Sequence, residues 1–347
     1  MDLYGEARRR GLRPKILVTR LRYLGDIVLS TPVISSLKRC YPDAEIHYLA
    51  EAPYAQVLKA NPHLAGIIPL EKGARGSIET VARLRRTAFT AAIDLFYNPR
   101  SAWLLFLAGI PIRIGGSRRW RRRLYSETYS VPRGVRSAIS HHLFPLGLLD
   151  CRGVEEMPRI YLTEEERSRG AALVREAAGS GGHDRIVAVH PGGTWPAKRW
   201  PPVSFARLIA LLVDRIGARA LLVTGPGEEA IVREVAVRAG GNASILPRQS
   251  IRSLAAVLDS CLAVVANDGG VMHMAVALER PTVGVFGPTE PDIWFPYEGR
   301  GPYILVTRNE ECAPCHRHQC ADPCCLEGIE PEEVASKVLR VIEGRVA

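Results

Sequence analysis

Asp26 stands in TRLRYLGDIVLSTP, just past an apolar run and an arginine-rich turn, where a helix-like stretch begins. Two roles suit it. Aspartate is a favoured helix N-cap. A carboxylate at a strand end is also placed to take a proton from an attacking hydroxyl, the work of a general base.

Three further stretches put polar groups where apolar runs stop. In VHPGGTWPAKRWP, Gly192 and Gly193 let the backbone approach a ligand closely. Thr194 offers a hydroxyl and Lys198 a compact positive charge, a combination suited to phosphate or pyrophosphate. The plainer reading makes Lys198 and Arg199 solvated and Trp200 a packing residue. In VTGPGEEA a glycine turn opens a helix, but Glu228 and Glu229 would repel a phosphate there. Either carboxylate suits ribose hydroxyls better. In NDGGVMHM, Asp268 ends an apolar strand. Gly269 and Gly270 then expose backbone N–H groups at the positive end of a helix, a seat for pyrophosphate. Asp268 would cap that helix or hold sugar hydroxyls. His273 is either a plain first-turn residue or a donor to the ligand.

Two clusters stand apart. GGSRRWRRR carries Arg118, Arg119, Arg121, Arg122 and Arg123, either a solvated loop or a contact for phosphate or a membrane surface. CAPCHRHQCADPCC crowds five of the eight cysteines together. Cys312, Cys315, Cys320 and Cys324, with His316 or His318 nearby, have the density of a structural zinc site; free or oxidised thiols are the other reading. Cys40, Cys151 and Cys261 are scattered and are expected to be buried thiols.

The positioning elements follow from the pattern. KILVTR, EIHYLA, AAIDLFYN and IPIRIG read as strands separated by helical stretches, and the alternation restarts after GSGGHD with RIVAVH, ARALLV, LAVVAN and PTVGVF. Strands regularly separated by helices mean parallel sheets. The expectation is therefore α/β, two doubly wound Rossmann-like domains with ligands at the carboxyl ends of the strands. The expected bounds are 1–178 and 185–330, with a C-terminal helix over 331–347.

The totals bound the function. Apolar residues make up 47% and charged residues 24%, and the net charge of +10 favours an acidic partner. No run reaches the ~18 apolar residues of a membrane span, and the N-terminus has no signal-like apolar stretch, so a protein that is not secreted is expected. There is no complete G-x-G-x-x-G and no P-loop Gly-Lys-Ser/Thr, which argues against a dehydrogenase or a P-loop NTPase. Around the basic stretch only Trp120 and Tyr125 are aromatic, which argues against nucleic acid. Glu290 and Glu298 imitate an E-x₇-E signature, but PDIWFPY between them holds two prolines, and the spacing is read as accidental.

Together, LRYLGDIVLSTPVISSLK, HPGGTWPAKRWPP, NDGGVMHMAVALERPTVGVFGPTEP and the tail from CAPC to IEPEEV resemble the ADP-heptose:lipopolysaccharide heptosyltransferases, glycosyltransferase family 9. The resemblance runs over most of the chain. It implies the GT-B fold with an interdomain cleft, and inverting, metal-independent transfer of heptose from an ADP-heptose donor to the lipopolysaccharide inner core. No cofactor is then required. It makes Asp26 the base and Thr194 and Lys198 donor-phosphate residues. Asp268, Gly269, Gly270 and His273 match its D-[ST]-G-x-x-H element, with Gly269 where a hydroxyl residue is usual. Glu228 or Glu229 falls at the nucleoside contact. The arginine cluster would then meet the acidic glycolipid acceptor, in an enzyme working from the cytoplasm at the inner face of the inner membrane. A GT-B sugar-nucleotide epimerase, or a transferase of another sugar, is the competing reading.

Overall fold

In a computed structural model of the protein, residues 13–178 and 185–344 are described, together with Leu3 and Gly5; of Arg119 and Ala178 only the backbone is described. The linker expected at 179–184 lies outside the described residues. The chain forms two compact units, Met1–Tyr161 and Leu162–Ala347.

The first unit holds β1 (Lys15–Thr19), β2 (Glu45–Glu51), β3 (Gly66–Leu70), β4 (Ala91–Asp94), β5 (Ile112–Gly116) and β6 (Glu127–Tyr129). They form one parallel sheet in the order β3-β2-β1-β4-β5-β6. The second holds β7 (Ile186–His190), β8 (Arg219–Leu222), β9 (Ala243–Ile245), β10 (Ala263–Asn267), β11 (Thr282–Phe286) and β12 (Tyr303–Thr307). Its parallel order is β12-β11-β10-β7-β8-β9, the same winding again. In each unit the winding reverses between the first and fourth strands, β1/β4 and β7/β10, where doubly wound sheets bind ligands.

The strands at these switch points are buried on both faces. All five residues of β7, β10 and β11 are buried, which is why they read as unbroken apolar runs rather than as alternation. Local signals set the helices around them. Pro202–Ile216 starts with proline in its first turn and ends at Gly217 in the left-handed region, φ 63°. Pro331–Ile342 has Glu332 and Glu333 in its first turn and packs on Pro202–Ile216 in the second unit.

Three expectations change. The helix Glu164–Ala178 belongs to the second unit, so the division falls at 161/162 and not near 178. It packs along the helix Ile251–Asp259. Glu166 pairs with Arg252, and Arg167 with Asp259, at that contact. Cys40 and Cys151 are not separate thiols but a disulfide with Cα atoms 5.7 Å apart. It joins the end of the helix Thr31–Cys40 to a loop 111 residues away, a contact that no local spacing announces. Third, the helix-like stretch that begins at Asp26 is broken at Ser30 into the two helices Leu24–Leu29 and Thr31–Cys40. No helix among the described residues is long and apolar enough to cross a membrane.

Candidate functional site

Both switch points carry ionisable groups. In the first unit β1 delivers the chain to the helix Leu24–Leu29, with Asp26 in its first turn. One oxygen of Asp26 accepts the Tyr23 N–H at 3.2 Å, and the other pairs with the Arg20 guanidinium. Asp26 thus caps the backbone from inside the first turn, as in the carboxylate half of a capping box, and not from the N-cap position. Arg20 is fixed in turn: it lies 4.7 Å over the Phe96 ring and donates to the Leu95 carbonyl at 3.1 Å. His142 is buried nearby. Burial, with the positive charge of Arg20, pushes its pKa down to about 3, so it stays neutral at physiological pH.

In the second unit the glycine loop after β7 is built by three buried polar groups. Asn267, the last residue of β10, donates to the carbonyls of Pro191 (3.0 Å) and Gly192 (2.9 Å) and accepts the Trp200 N–H at 3.1 Å. It ties both ends of the loop to the central strand. His190 Nε2 lies 2.8 Å from Glu228 Oε2, which also accepts the Gly225 N–H at 2.7 Å. Burial opposes ionisation of Glu228. The bonds from His190 and the N–H groups of Gly225 and Gly193 outweigh it and hold the carboxyl below its ordinary pKa. A Cβ on Gly192 would come within 2.1 Å of that carboxylate, so the glycine is required for the two loops to close. Glu228, expected at the nucleoside, is a clamp between the turns after β7 and β8. Its neighbour Glu229 is exposed.

Lys198 and Asp268 meet in front of this loop, Nζ to Oδ2 at 2.5 Å. The same oxygen accepts the Thr289 hydroxyl at 2.6 Å. Asp268 is 5% exposed, whereas Lys198 is only half-buried. The ammonium also lies 4.5 Å over the Trp195 ring, a cation–π contact. Beside them begins the helix Gly270–Ala277. His273 is buried in it, with Nδ1 2.7 Å from the Tyr297 hydroxyl. Thr194 is exposed at the loop tip. Gly269 is extended, with φ 177°, and a Cβ there would find only the Asn267 carbonyl, at 3.8 Å. The missing hydroxyl side chain therefore leaves open space.

The cysteine tail folds over the same loop, which its sequence did not announce. His318 stacks on Trp195 with centroids 3.9 Å apart, and its carbonyl accepts the Ala197 N–H at 3.1 Å. The N–H groups of Cys315 and His316 bond the Pro288 carbonyl at 3.1 and 2.9 Å. In sequence Cys312, Cys315, Cys320 and Cys324 are open to two readings, a structural zinc site or free or oxidised thiols. Among the described residues no group of three or more His, Cys, Asp or Glu is arranged to hold a metal ion. The Cys320 thiol donates to the Asp322 carbonyl at 3.1 Å, and burial together with the nearby Cys312 raises the Cys324 thiol above its ordinary pKa. Burial, with the neighbouring thiols, pushes Cys325 up to about 11.

The arginine cluster lies in the first unit on the 3-10 turn Arg119–Leu124. Arg118, Arg122 and Arg123 are exposed and Arg121 is half-buried; the side chain of Arg119 lies outside the described residues.

The chain is similar to known proteins of one family. The family model "Glycosyltransferase family 9 (heptosyltransferase)" matches residues 78–326. Lipopolysaccharide heptosyltransferase 1 of Pseudomonas aeruginosa is 28% identical, over 93% of this chain and 97% of its own. Lipopolysaccharide heptosyltransferase 2 of Escherichia coli is 27% identical, over 84% and 88%. Among solved structures, a family 9 glycosyl transferase from Veillonella parvula superposes with a TM-score of 0.82 at 24% identity, covering 95% of this chain and 97% of that one. The E. coli ADP-heptose lps heptosyltransferase II gives 0.79 at 22%, covering 96% and 100%. These two structures establish the GT-B fold.

Proposed function

The chain belongs to glycosyltransferase family 9, and on that premise we propose that it moves heptose from ADP-L-glycero-D-manno-heptose to the inner core of lipopolysaccharide, with inversion and without a metal. The observation that carries the donor side is the Lys198–Asp268 pair at the β7/β10 switch point, beside the start of the helix Gly270–Ala277. A half-buried ammonium, exposed backbone N–H groups and a helix N-terminus form a seat for a pyrophosphate. The names of the similar enzymes, lipopolysaccharide heptosyltransferases, support heptose and a lipopolysaccharide acceptor.

The chemistry then runs as a single displacement. Asp26 accepts the proton of the acceptor hydroxyl, whose oxygen attacks the anomeric carbon. The bond from that carbon to the phosphate oxygen breaks, and ADP leaves with the electron pair. Lys198, Thr194 and the N–H groups at Gly269 and Gly270 meet the charge that grows on the leaving group; removing one such contact costs on the order of 10²-fold in rate. Asp268 holds Lys198 in place, and His273 flanks the phosphates. Asn267 and the Glu228–His190 clamp shape the loop that carries them.

Arg118, Arg119, Arg121, Arg122 and Arg123 take the acidic, phosphorylated glycolipid acceptor at the cytoplasmic face of the inner membrane. Product analysis with ADP-heptose, with other ADP- and UDP-sugars, and with and without core acceptor tests this reading. Acceptor-dependent ADP release and a product one heptose heavier are expected. Conversion of the donor without acceptor would mark an epimerase, and turnover only with another nucleotide sugar would overturn the donor assignment.

A further inference from the structure

The helix Pro99–Leu107 is apolar on both sides. Ala102 and Leu105 enter the core, yet Trp103, Phe106 and Leu107 remain 43%, 42% and 46% exposed. These three share one face, three and four residues apart. Trp120, at 48% exposed, extends the patch from the arginine turn, its ring 6.3 Å from that of Trp103, and Phe106 lies 5.8 Å from Trp103 on the other side. A surface helix ordinarily turns its polar side outward. Contiguous exposed apolar surface of this kind marks an interaction site.

Positive charge frames the patch. Arg113 lies 5.5 Å over the Phe106 ring, and Arg85 donates to the Leu107 carbonyl at 2.9 Å. Arg118, Arg121, Arg122 and Arg123 follow on the turn, and among the described residues no carboxylate forms an ion pair with any of them. The turn is held rigidly. Tyr125 donates to the buried Asp94 at 2.7 Å, Arg113 bonds the Leu124 carbonyl at 2.8 Å, and a Cβ on Gly115 would meet the Tyr125 ring at 2.3 Å.

We infer that Trp103, Phe106, Leu107 and Trp120 insert into the headgroup boundary of an anionic bilayer, with the surrounding arginines on its phosphates. Tryptophan suits that boundary because its ring is apolar and its N–H is polar. Neither signal anchors a protein stably alone, whereas an apolar insertion joined to a basic patch does. The inference deepens the membrane contact proposed above and rests on that reading for its setting.

The test uses the full chain and vesicles of phosphatidylcholine with and without phosphatidylglycerol. Binding that requires phosphatidylglycerol is expected, with tryptophan fluorescence quenched by brominated acyl chains. Trp103→Phe with Trp120→Phe removes that quenching. Phe106→Ser with Leu107→Ser weakens binding about tenfold or more, while Val237→Ser, at a position 81% exposed in the second unit, leaves it unchanged. Thermal melting confirms that each variant is folded. Binding without quenching, insensitive to Phe106→Ser with Leu107→Ser, would reduce the contact to charge alone and overturn insertion. A variant that changes oligomeric state but not vesicle binding would make the face a contact between copies of the chain. Turnover of an acyl-free acceptor keeps the two readings apart: it stays normal in Phe106→Ser with Leu107→Ser, and its absence in the unaltered protein would sink the transferase reading without touching the vesicle result.

Discussion

Lys198 and Asp268, 70 residues apart in sequence, are joined at 2.5 Å at the switch point of the second sheet. Asp268 is buried and also engaged by Thr289, so the lysine is the partner that can turn to a ligand. Lys198→Met is expected to lower kcat on the order of 10²-fold. Asp268→Asn keeps the lysine but loosens its aim, and is expected to raise the donor KM more than it lowers kcat. Steady-state kinetics in ADP-heptose separate the two. A Lys198→Met enzyme with kcat within about twofold of normal would remove the lysine from the chemistry.

Asp26 is expected to matter only to turnover. Asp26→Asn keeps an acceptor for the Tyr23 N–H, so the start of the helix Leu24–Leu29 should survive. The rate should fall by about 10² to 10⁴, the usual contribution of a positioned base. ADP affinity by calorimetry should not change. Near-normal transfer with the fold intact would exclude Asp26 as the base.

Much of this arrangement was legible in the sequence, because parallel strands buried on both faces write themselves as apolar runs. Asp268 directly follows such a run, and Asp26 lies just past the turn that follows another. Other partners were invisible for the same physical reason: their contacts are tertiary. His190 and Glu228 are 38 residues apart, and neither looks buried in sequence. Asn267 carries a signal of its own, a polar residue closing the wholly buried strand β10. The stack of His318 on Trp195 joins two loops that nothing in their composition relates. Cys40 and Cys151 read as isolated thiols because a spacing of 111 residues defines no motif.

The Cys40–Cys151 bond is expected to stabilise the first unit by about 2–4 kcal/mol, mostly by constraining the unfolded chain. Cys151→Ser should lower the melting temperature, and the loss should disappear when both proteins are compared under reductant. In a reducing compartment the bond would be open. Alkylation followed by mass spectrometry of freshly lysed cells reads that directly.

Gly192 and Gly269 make opposite predictions. A Cβ at Gly192 meets the Glu228 carboxylate at 2.1 Å, and Gly192→Ala should cost about 1–3 kcal/mol and weaken ADP binding as the loop moves. A Cβ at Gly269 meets nothing closer than 3.8 Å on an extended backbone. Gly269→Ser should therefore fold normally and bind ADP at least as well as the unaltered protein. A loss of stability in Gly269→Ser similar to that in Gly192→Ala would show that the loop has been misread.

Acid should loosen the second unit through Glu166. Its bonds with Arg252 hold the carboxyl down at about 2, against an ordinary value of 4.5, and clasp the helix Glu164–Ala178 to Ile251–Asp259. A carboxyl with a depressed folded pKa contributes stability that is fully present above its unfolded value and lost as pH falls through its folded one. The window is therefore from about pH 4.5 down to about 2. The pair is partly exposed, so salt screens it and the effect is modest. Glu228, also held below its ordinary value, loses its contribution in the same direction. Urea midpoints measured at falling pH should decline across this window in the unaltered protein and more shallowly in Glu166→Gln. Parallel slopes for the two proteins would show that the Glu166–Arg252 contact contributes nothing to acid sensitivity.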